Sequence, residues 1–233
     1  MAPENTLAAF RLGAQHGFKA FECDVKISAD GVAFLMHDTD LKRTTGEPGT
    51  AEEMTWPELS RLDAGRWHSP DHVGEPIPTL SDIARFCFDT GSDLNIEIKP
   101  TPGRNVRTGE LVASEAARLW VGQSRLPLLS SFSTSALEAA RAAAPELPRA
   151  LLLEEWSPGW FEQARSLGCV GVVMDHTMVD APVVERLHRA GLFVMSYTVN
   201  EAAVAERLLR WGVDGLITDV MDRAALPERS QLR

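Results

Sequence analysis

Short β-like runs alternate with helical ones along most of the chain. The runs Ala20 to Val25, Leu94 to Lys99, Leu126 to Phe132, Arg149 to Leu153, Cys169 to Met174, Leu192 to Val199 and Gly215 to Asp219 are apolar and bounded by turn residues, and helical stretches separate them. That alternation predicts a mostly parallel sheet covered by helices. Helix ends are marked as well. Ser133-Thr134 opens the Ala-rich segment Ser135 to Ala144, which stops before Pro145; Asn200-Glu201 opens Ala202 to Trp211, which stops at Gly212; and the run Asp180 to Ala190 ends at Gly191. About seven strand–helix units result, one short of the eight that close a TIM (β/α)8 barrel. The shortfall lies at the front, where MAPENTLAAFRLGAQHG opens directly on a helix. Pro3 suits a first turn, Leu7, Phe10 and Ala14 form an apolar stripe, and Gly17 is a stop. The expectation is a single α/β barrel-type domain over residues 1–233, with a small insertion and with its first barrel strand missing from the chain.

Two segments break the alternation. Lys26 to Leu35 carries Ala29-Asp30-Gly31 between β-rich runs, a hairpin signal that returns His37 towards Glu22 and Asp24. Residues 39–91, rich in Thr, Gly, Pro and charge, hold short helices near Trp56 to Leu62 and Leu80 to Phe88 and read as an inserted subdomain over one barrel mouth. The polar tail Pro227 to Arg233 is expected to fray.

Composition narrows the partners. An apolar content of 44% with 24% charged residues is that of a globular domain rather than a disordered chain. A net charge of −10 argues against nucleic acid or an anionic membrane surface, both of which demand concentrated positive charge. Cys23, Cys87 and Cys169 lie far apart with no CxxC, which suits reduced thiols in a cytoplasm. No apolar run is long enough to span a bilayer, so no membrane insertion is expected.

The chemistry collects on two strands. In FECDVKISADGVAFLMHD, Glu22 and Asp24 share one face while Phe21, Cys23 and Val25 share the other. Burying two unpaired carboxylates costs several kcal/mol, roughly, so a positive charge is expected between them, and a divalent cation is the simplest candidate. A half-exposed antiparallel strand with its polar face in water is the alternative. In Asn95-Ile96-Glu97-Ile98-Lys99-Pro100, Asn95, Glu97 and Lys99 again share a face. Glu22, Asp24 and Glu97 then offer three hard oxygen ligands of the type Mg²⁺ or Ca²⁺ prefers. Lys99 is placed to meet a phosphate; a plain Glu–Lys ion pair in a barrel mouth is the competing reading. His37, with Asp38 beside it, is the acid/base candidate. Phe132 and Tyr197 offer an apolar wall to a small organic group, with Ser131, Asn200 and Asp219 as polar neighbours, and Trp67 is the tryptophan best placed to reach over the mouth.

These residues fall into motifs: Pro3-Glu4-Asn5-Thr6, Glu22-Cys23-Asp24-Val25, Ala29-Asp30-Gly31, His37-Asp38, Arg43-Thr44-Thr45, Asn95-Ile96-Glu97-Ile98-Lys99-Pro100, Ser131-Phe132, Tyr197-Thr198-Val199-Asn200 and Thr218-Asp219. Taken in order, they resemble the glycerophosphodiester phosphodiesterases, most closely the bacterial cytoplasmic type. The resemblance implies a TIM barrel, a divalent cation held by Glu22, Asp24 and Glu97, His37 as an acid/base group, Lys99 on the phosphate, and Glu4 and Asp38 in supporting places. It implies hydrolysis of a glycerophosphodiester such as glycerophosphocholine to glycerol 3-phosphate and an alcohol. In the mechanism usual for the family, the neighbouring glycerol hydroxyl attacks phosphorus while two histidines manage the protons. Family members also carry a His-Arg-Gly motif at the end of the first barrel strand, and this chain starts too late to contain it. The expectation is therefore that the chain as written binds metal but turns substrate over poorly. A non-catalytic binding protein on the same scaffold, or a phosphodiesterase for another substrate, is the alternative. The unpaired strand edges add a homo-oligomer to the expectations.

Overall fold

The computed structural model describes residues 1–222, so the tail Pro227 to Arg233 lies outside the described residues. The chain opens with α1 (Leu7–Gln15), β1 (Ala20–Ile27) and β2 (Ala33–Leu35). Between β2 and β3 come α2 (Lys42–Thr45), α3 (Trp56–Leu59) and two 3₁₀ turns, and α4 (Leu80–Thr90) leads back to the sheet. Strands and helices then alternate as β3 (Asp93–Ile98), α5 (Asn105–Leu119), β4 (Leu128–Ser131), α6 (Thr134–Ala143), β5 (Arg149–Leu153), α7 (Trp160–Ser166), β6 (Gly171–Asp175), α8 (Ala181–Arg189), β7 (Phe193–Tyr197), α9 (Ala202–Arg210) and β8 (Gly215–Leu216). The strand order is β2-β1-β3-β4-β5-β6-β7-β8; β2 is antiparallel to β1, and every other neighbour pair is parallel. The sheet curls into a half-barrel of the expected α/β type. Among the described residues, no strand pairs with β8 on the side away from β7.

The hairpin forms where the sequence places it. Gly31 takes φ +91° at its tip, a conformation that costs glycine nothing, and β1 pairs with β2 from Val25–Leu35 to Ile27–Ala33. Helix starts follow side-chain caps: Ser133 accepts from the Ala136 N–H, Asp180 from Val183, and Thr79 and Asp82 cap α4 reciprocally. The first helix corrects the expectation built on Pro3. Asn5 adopts φ +54°, which no right-handed helix passes through, so α1 begins only after Thr6, whose hydroxyl accepts from the Ala9 N–H.

Apolar side chains cover both faces of the sheet. Cys23, Val25, Ile96, Ile98 and Leu129 pack outward under α4, α5 and α6, and Leu151, Val172, Met174 and Val194 do so under the later helices. Ala150, Leu152 and Val173 fill the interior with the partly buried Phe193, Met195 and Tyr197 around them. Phe34, Met36, Leu41, Ala51, Leu59, Ala64 and Ile77 form a separate cluster in and beside the inserted stretch, whereas Leu80, Ile83, Ala84 and Cys87 of α4 join the main core.

The longest helix, α5, buries Thr108, Gly109, Val112, Ala113 and Ala116 against α6. A stripe of such small residues brings the two helix axes close. A Cβ added at Gly109 would lie 2.2 Å from the carbonyl oxygen of Ala136, so α6 would have to move. Gly109→Ala is expected to lower unfolding stability by about 1–3 kcal/mol, the usual range for overpacking, despite the higher helix propensity of alanine; urea denaturation of the two proteins checks it.

Candidate active site

Glu22 and Asp24 project from β1, and Glu97 stands on β3 as the register partner of Asp24. Their carboxylate oxygens lie within 4.8 Å of one another. Burial first, and then the charges of Asp24 and Glu97, push the Glu22 carboxyl well above its usual range; burial and Asp24 raise Glu97 in the same way. Lys99, just past the end of β3, sets its Nζ 2.8 Å from Glu97 Oε1 and 3.2 Å from Asp24 Oδ1. Burial works against that ammonium, but Asp24 and Glu97 outweigh it and raise its pKa, so Lys99 stays charged. Lys99 thus stands against two of the three carboxylates.

The donor set suits a hard divalent cation, being all oxygen and anionic. Asn95, the register partner of Glu22, adds a buried amide oxygen that lines the same cavity and has no hydrogen-bond partner. Three crowded carboxylates with an orphaned neutral oxygen beside them fit a divalent cation.

Asn5, which the sequence reading left out of the site, clamps Asp24 from the open side of β1. Its Nδ2 donates to Asp24 Oδ2 at 2.8 Å, and its Oδ1 accepts from the Asp24 N–H at 2.9 Å. Asparagine tolerates positive φ better than other residues with a side chain, and that preference was the available signal.

A second polar chain borders the cavity. His37 Nδ1 lies 2.8 Å from Asp38 Oδ1. Arg43 donates to both Asp38 oxygens, at 2.6 and 3.0 Å, and through Nη1 and Nη2 to both oxygens of Glu4, at 2.8 and 2.6 Å. The hydrogen bonds from Arg43 hold the Asp38 carboxyl down at about 2, so Asp38 is an acceptor and His37 Nδ1 the donor near neutral pH. The Arg43 guanidinium also lies over the Trp67 ring, 5.5 Å from its centre. Arg43, present in the sequence reading only within the motif Arg43-Thr44-Thr45, is the second residue that the structure adds to the site.

On the far wall, Phe132 and Tyr197 meet edge to face at 5.9 Å. The Tyr197 hydroxyl donates to the Leu153 carbonyl, leaving the ring rather than the hydroxyl for the cavity. Phe132 also faces the Lys99 ammonium at 5.7 Å. Ser131 turns away: its hydroxyl is buried and donates to the Ile98 carbonyl. Asn200 and Asp219 bond each other at 3.2 Å. Glu4, Glu22, Asp24, His37, Glu97, Lys99, Phe132, Tyr197 and Asp219, with Arg43 and Trp67, line one cavity of 1010 Å³. Asp38 stands behind His37.

Asn5→Ala removes two bonds from Asp24 and leaves its N–H without that partner; a loss of about 1–3 kcal/mol in unfolding stability is expected by urea denaturation. For Asp38 the folded pKa lies below the ordinary carboxylate value. Its bonds therefore stabilise the fold above about pH 4 and are lost as pH falls through about 2. Arg43→Met should return the Asp38 titration, followed by carboxyl NMR, to near pH 4, roughly its unperturbed value.

Comparison with known proteins places the chain in a family. Residues 1–223 match the glycerophosphoryl diester phosphodiesterase family. The glycerophosphodiester phosphodiesterase of Caldanaerobacter subterraneus subsp. tengcongensis is 31% identical over 223 residues, covering 93% of this chain and 88% of that one. Among solved structures, an Oleispira antarctica phosphodiesterase in complex with the product sn-glycerol-3-phosphate superposes with a TM-score of 0.88 at 32% identity, covering 95% of this chain and 90% of that one. The glycerophosphodiester phosphodiesterase of Agrobacterium tumefaciens str. C58 gives a TM-score of 0.79 at 27% identity, covering 97% and 94%. Among the described residues no helix is long and apolar enough to cross a membrane. With its acidic triad, flanking lysine and barrel-type scaffold, the chain belongs to the glycerophosphoryl diester phosphodiesterase family, a family of phosphoric diester hydrolases.

Proposed function

We propose that this chain hydrolyses glycerophosphodiesters, such as glycerophosphocholine, to glycerol 3-phosphate and an alcohol, with Mg²⁺ or Ca²⁺ held by Glu22, Asp24 and Glu97. The observation that carries the reading is the convergence of those three carboxylates within 4.8 Å, with Lys99 beside them, on a cavity that His37 also lines. When bound, a divalent cation draws charge from phosphate oxygens.

The chain's own groups supply the rest. Lys99 offers a second positive charge to the phosphate from the edge of the triad. His37 keeps its Nδ1 proton on Asp38, which leaves Nε2 to give or take a proton at an ester oxygen. Arg43 and Glu4 hold Asp38 in place, so their effect on the reaction passes through His37. Phe132 and Tyr197 present ring surface to the glycerol or alcohol carbons. The product complex of the Oleispira antarctica relative supports glycerol 3-phosphate as the product here. Three free cysteines support a cytoplasmic setting.

The test assays glycerophosphocholine against an aryl phosphodiester with Mg²⁺, Ca²⁺ or a chelator, using protein from a host without its own enzyme. Release of glycerol 3-phosphate that needs the cation and falls about 10²–10⁴-fold in His37→Ala is expected. Calorimetry should show weaker cation binding in Glu97→Gln. Cation binding without turnover of either diester would favour a binding protein on this scaffold, and unchanged cation affinity in Glu97→Gln would remove the triad from the reading.

A further inference from the structure

Lys26 is the third charged residue on the face of β1 that carries Glu22 and Asp24, and its side chain is 1% exposed. Among the described residues no carboxylate lies within ion-pairing distance of it. Among the described residues the one hydrogen bond of its ammonium runs from Nζ to the main-chain carbonyl of Lys99 at 2.9 Å. Burial pushes its pKa below the usual lysine range, and the carboxylate of Glu52 opposes that most strongly.

Glu52, in the 3₁₀ turn Ala51–Glu53 of the inserted stretch, is fully buried. Its Oε1 accepts from the Thr101 N–H at 3.3 Å and the Thr108 hydroxyl at 3.5 Å, and Arg104 donates to its main-chain carbonyl at 3.3 Å. Lys99 and Thr101 lie past the last register pair of β1 and β3, which is Val25 with Ile98. The main chain of Lys99 is held by its N–H on the Val25 carbonyl at 3.0 Å and by Lys26 on its own carbonyl. Two residues on, the chain is held by Glu52.

We propose that Lys26 is a positioning residue for Lys99, and that Glu52 extends this hold into the inserted stretch, so that the aim of the Lys99 ammonium depends on how that stretch docks. The physical reason is the cost of a buried ammonium. A lysine that gives its one bond to a carbonyl, without a paired carboxylate, is an expensive way to fill space, and a methionine would fill it as well. The bond fixes a peptide group that the β ladder no longer holds, at the residue whose side chain faces the triad.

This inference rests on the reading of Lys99 as a phosphate contact, and the experiment separates the two. Calorimetry measures binding of sn-glycerol 3-phosphate in the presence of Mg²⁺ to the parent chain, Lys26→Met, Lys99→Met and the double variant. Lys26→Met should weaken binding by about tenfold, the effect of losing a charged hydrogen bond. The double variant should match Lys99→Met within about twofold, since the two residues act through one contact. Unchanged affinity in Lys99→Met overturns the phosphate reading. A Lys99→Met effect with no Lys26→Met effect, or with effects that multiply in the double variant, overturns the positioning role. Should Lys26→Met not fold, Glu52→Gln replaces it: weaker product binding in that folded variant supports the linkage, and parental affinity sinks it.

Discussion

Mutual repulsion among Glu22, Asp24 and Glu97 is the constraint around which the rest of the site is arranged. At 4.8 Å and an effective dielectric constant of about 20, each pair of full charges repels by about 3 kcal/mol. Three such pairs rival the whole net stability of a domain, about 5–15 kcal/mol. The fold tolerates the cluster because Lys99 stands against two of its members, because burial and its neighbours' charges raise the Glu22 carboxyl above its usual range, and because the oxygens together suit a divalent cation. The same crowding that burdens the fold favours positive charge between the three carboxylates.

Rigid surroundings keep the carboxylates from moving apart. Glu22 and Asp24 sit on β1, bonded along one edge to β3, while on the other edge the Asp24 N–H is held by the side chain of Asn5. The sheet interior behind them is apolar and the outer face is covered by helices, so separation of the charges would break backbone hydrogen bonds. His37 is held differently, through a relay of Asp38, Arg43 and Glu4 that ties the loop after β2 to the segment before α1. That relay is more exposed than the triad and depends on charge-assisted bonds rather than on burial.

Much of this was readable along the chain. The apolar runs mark the seven parallel strands found among the described residues, Arg149–Leu153 to the residue, because a strand buried on both faces has little freedom in composition. The apolar run Leu126 to Phe132 is longer than the strand it marks: only Leu128–Ser131 pairs, and Phe132 leaves the ladder to enter the cavity. Gly215 to Asp219 likewise shortens to Gly215–Leu216. The longest helix, α5, left little trace, since its buried stripe is Thr, Gly, Val and Ala, chosen for close approach to α6 rather than for bulk. The first helix begins later than Pro3 suggests, because Asn5 at positive φ turns the chain to reach Asp24.

Local order determines which groups share a face, since alternation along a strand is set by backbone geometry alone. On that basis the sequence placed Glu22 with Asp24, Asn95 with Glu97 and Lys99, and the hairpin that brings His37 back. Distance between strands is another matter. The approach of Glu97 to Asp24, the clamp by Asn5, the bridge from Arg43 to Glu4 and the bond from Lys26 to the Lys99 carbonyl join residues 19 to 73 positions apart. Strand register and loop docking decide those meetings, because both depend on how the whole core packs and neither is encoded by any one segment.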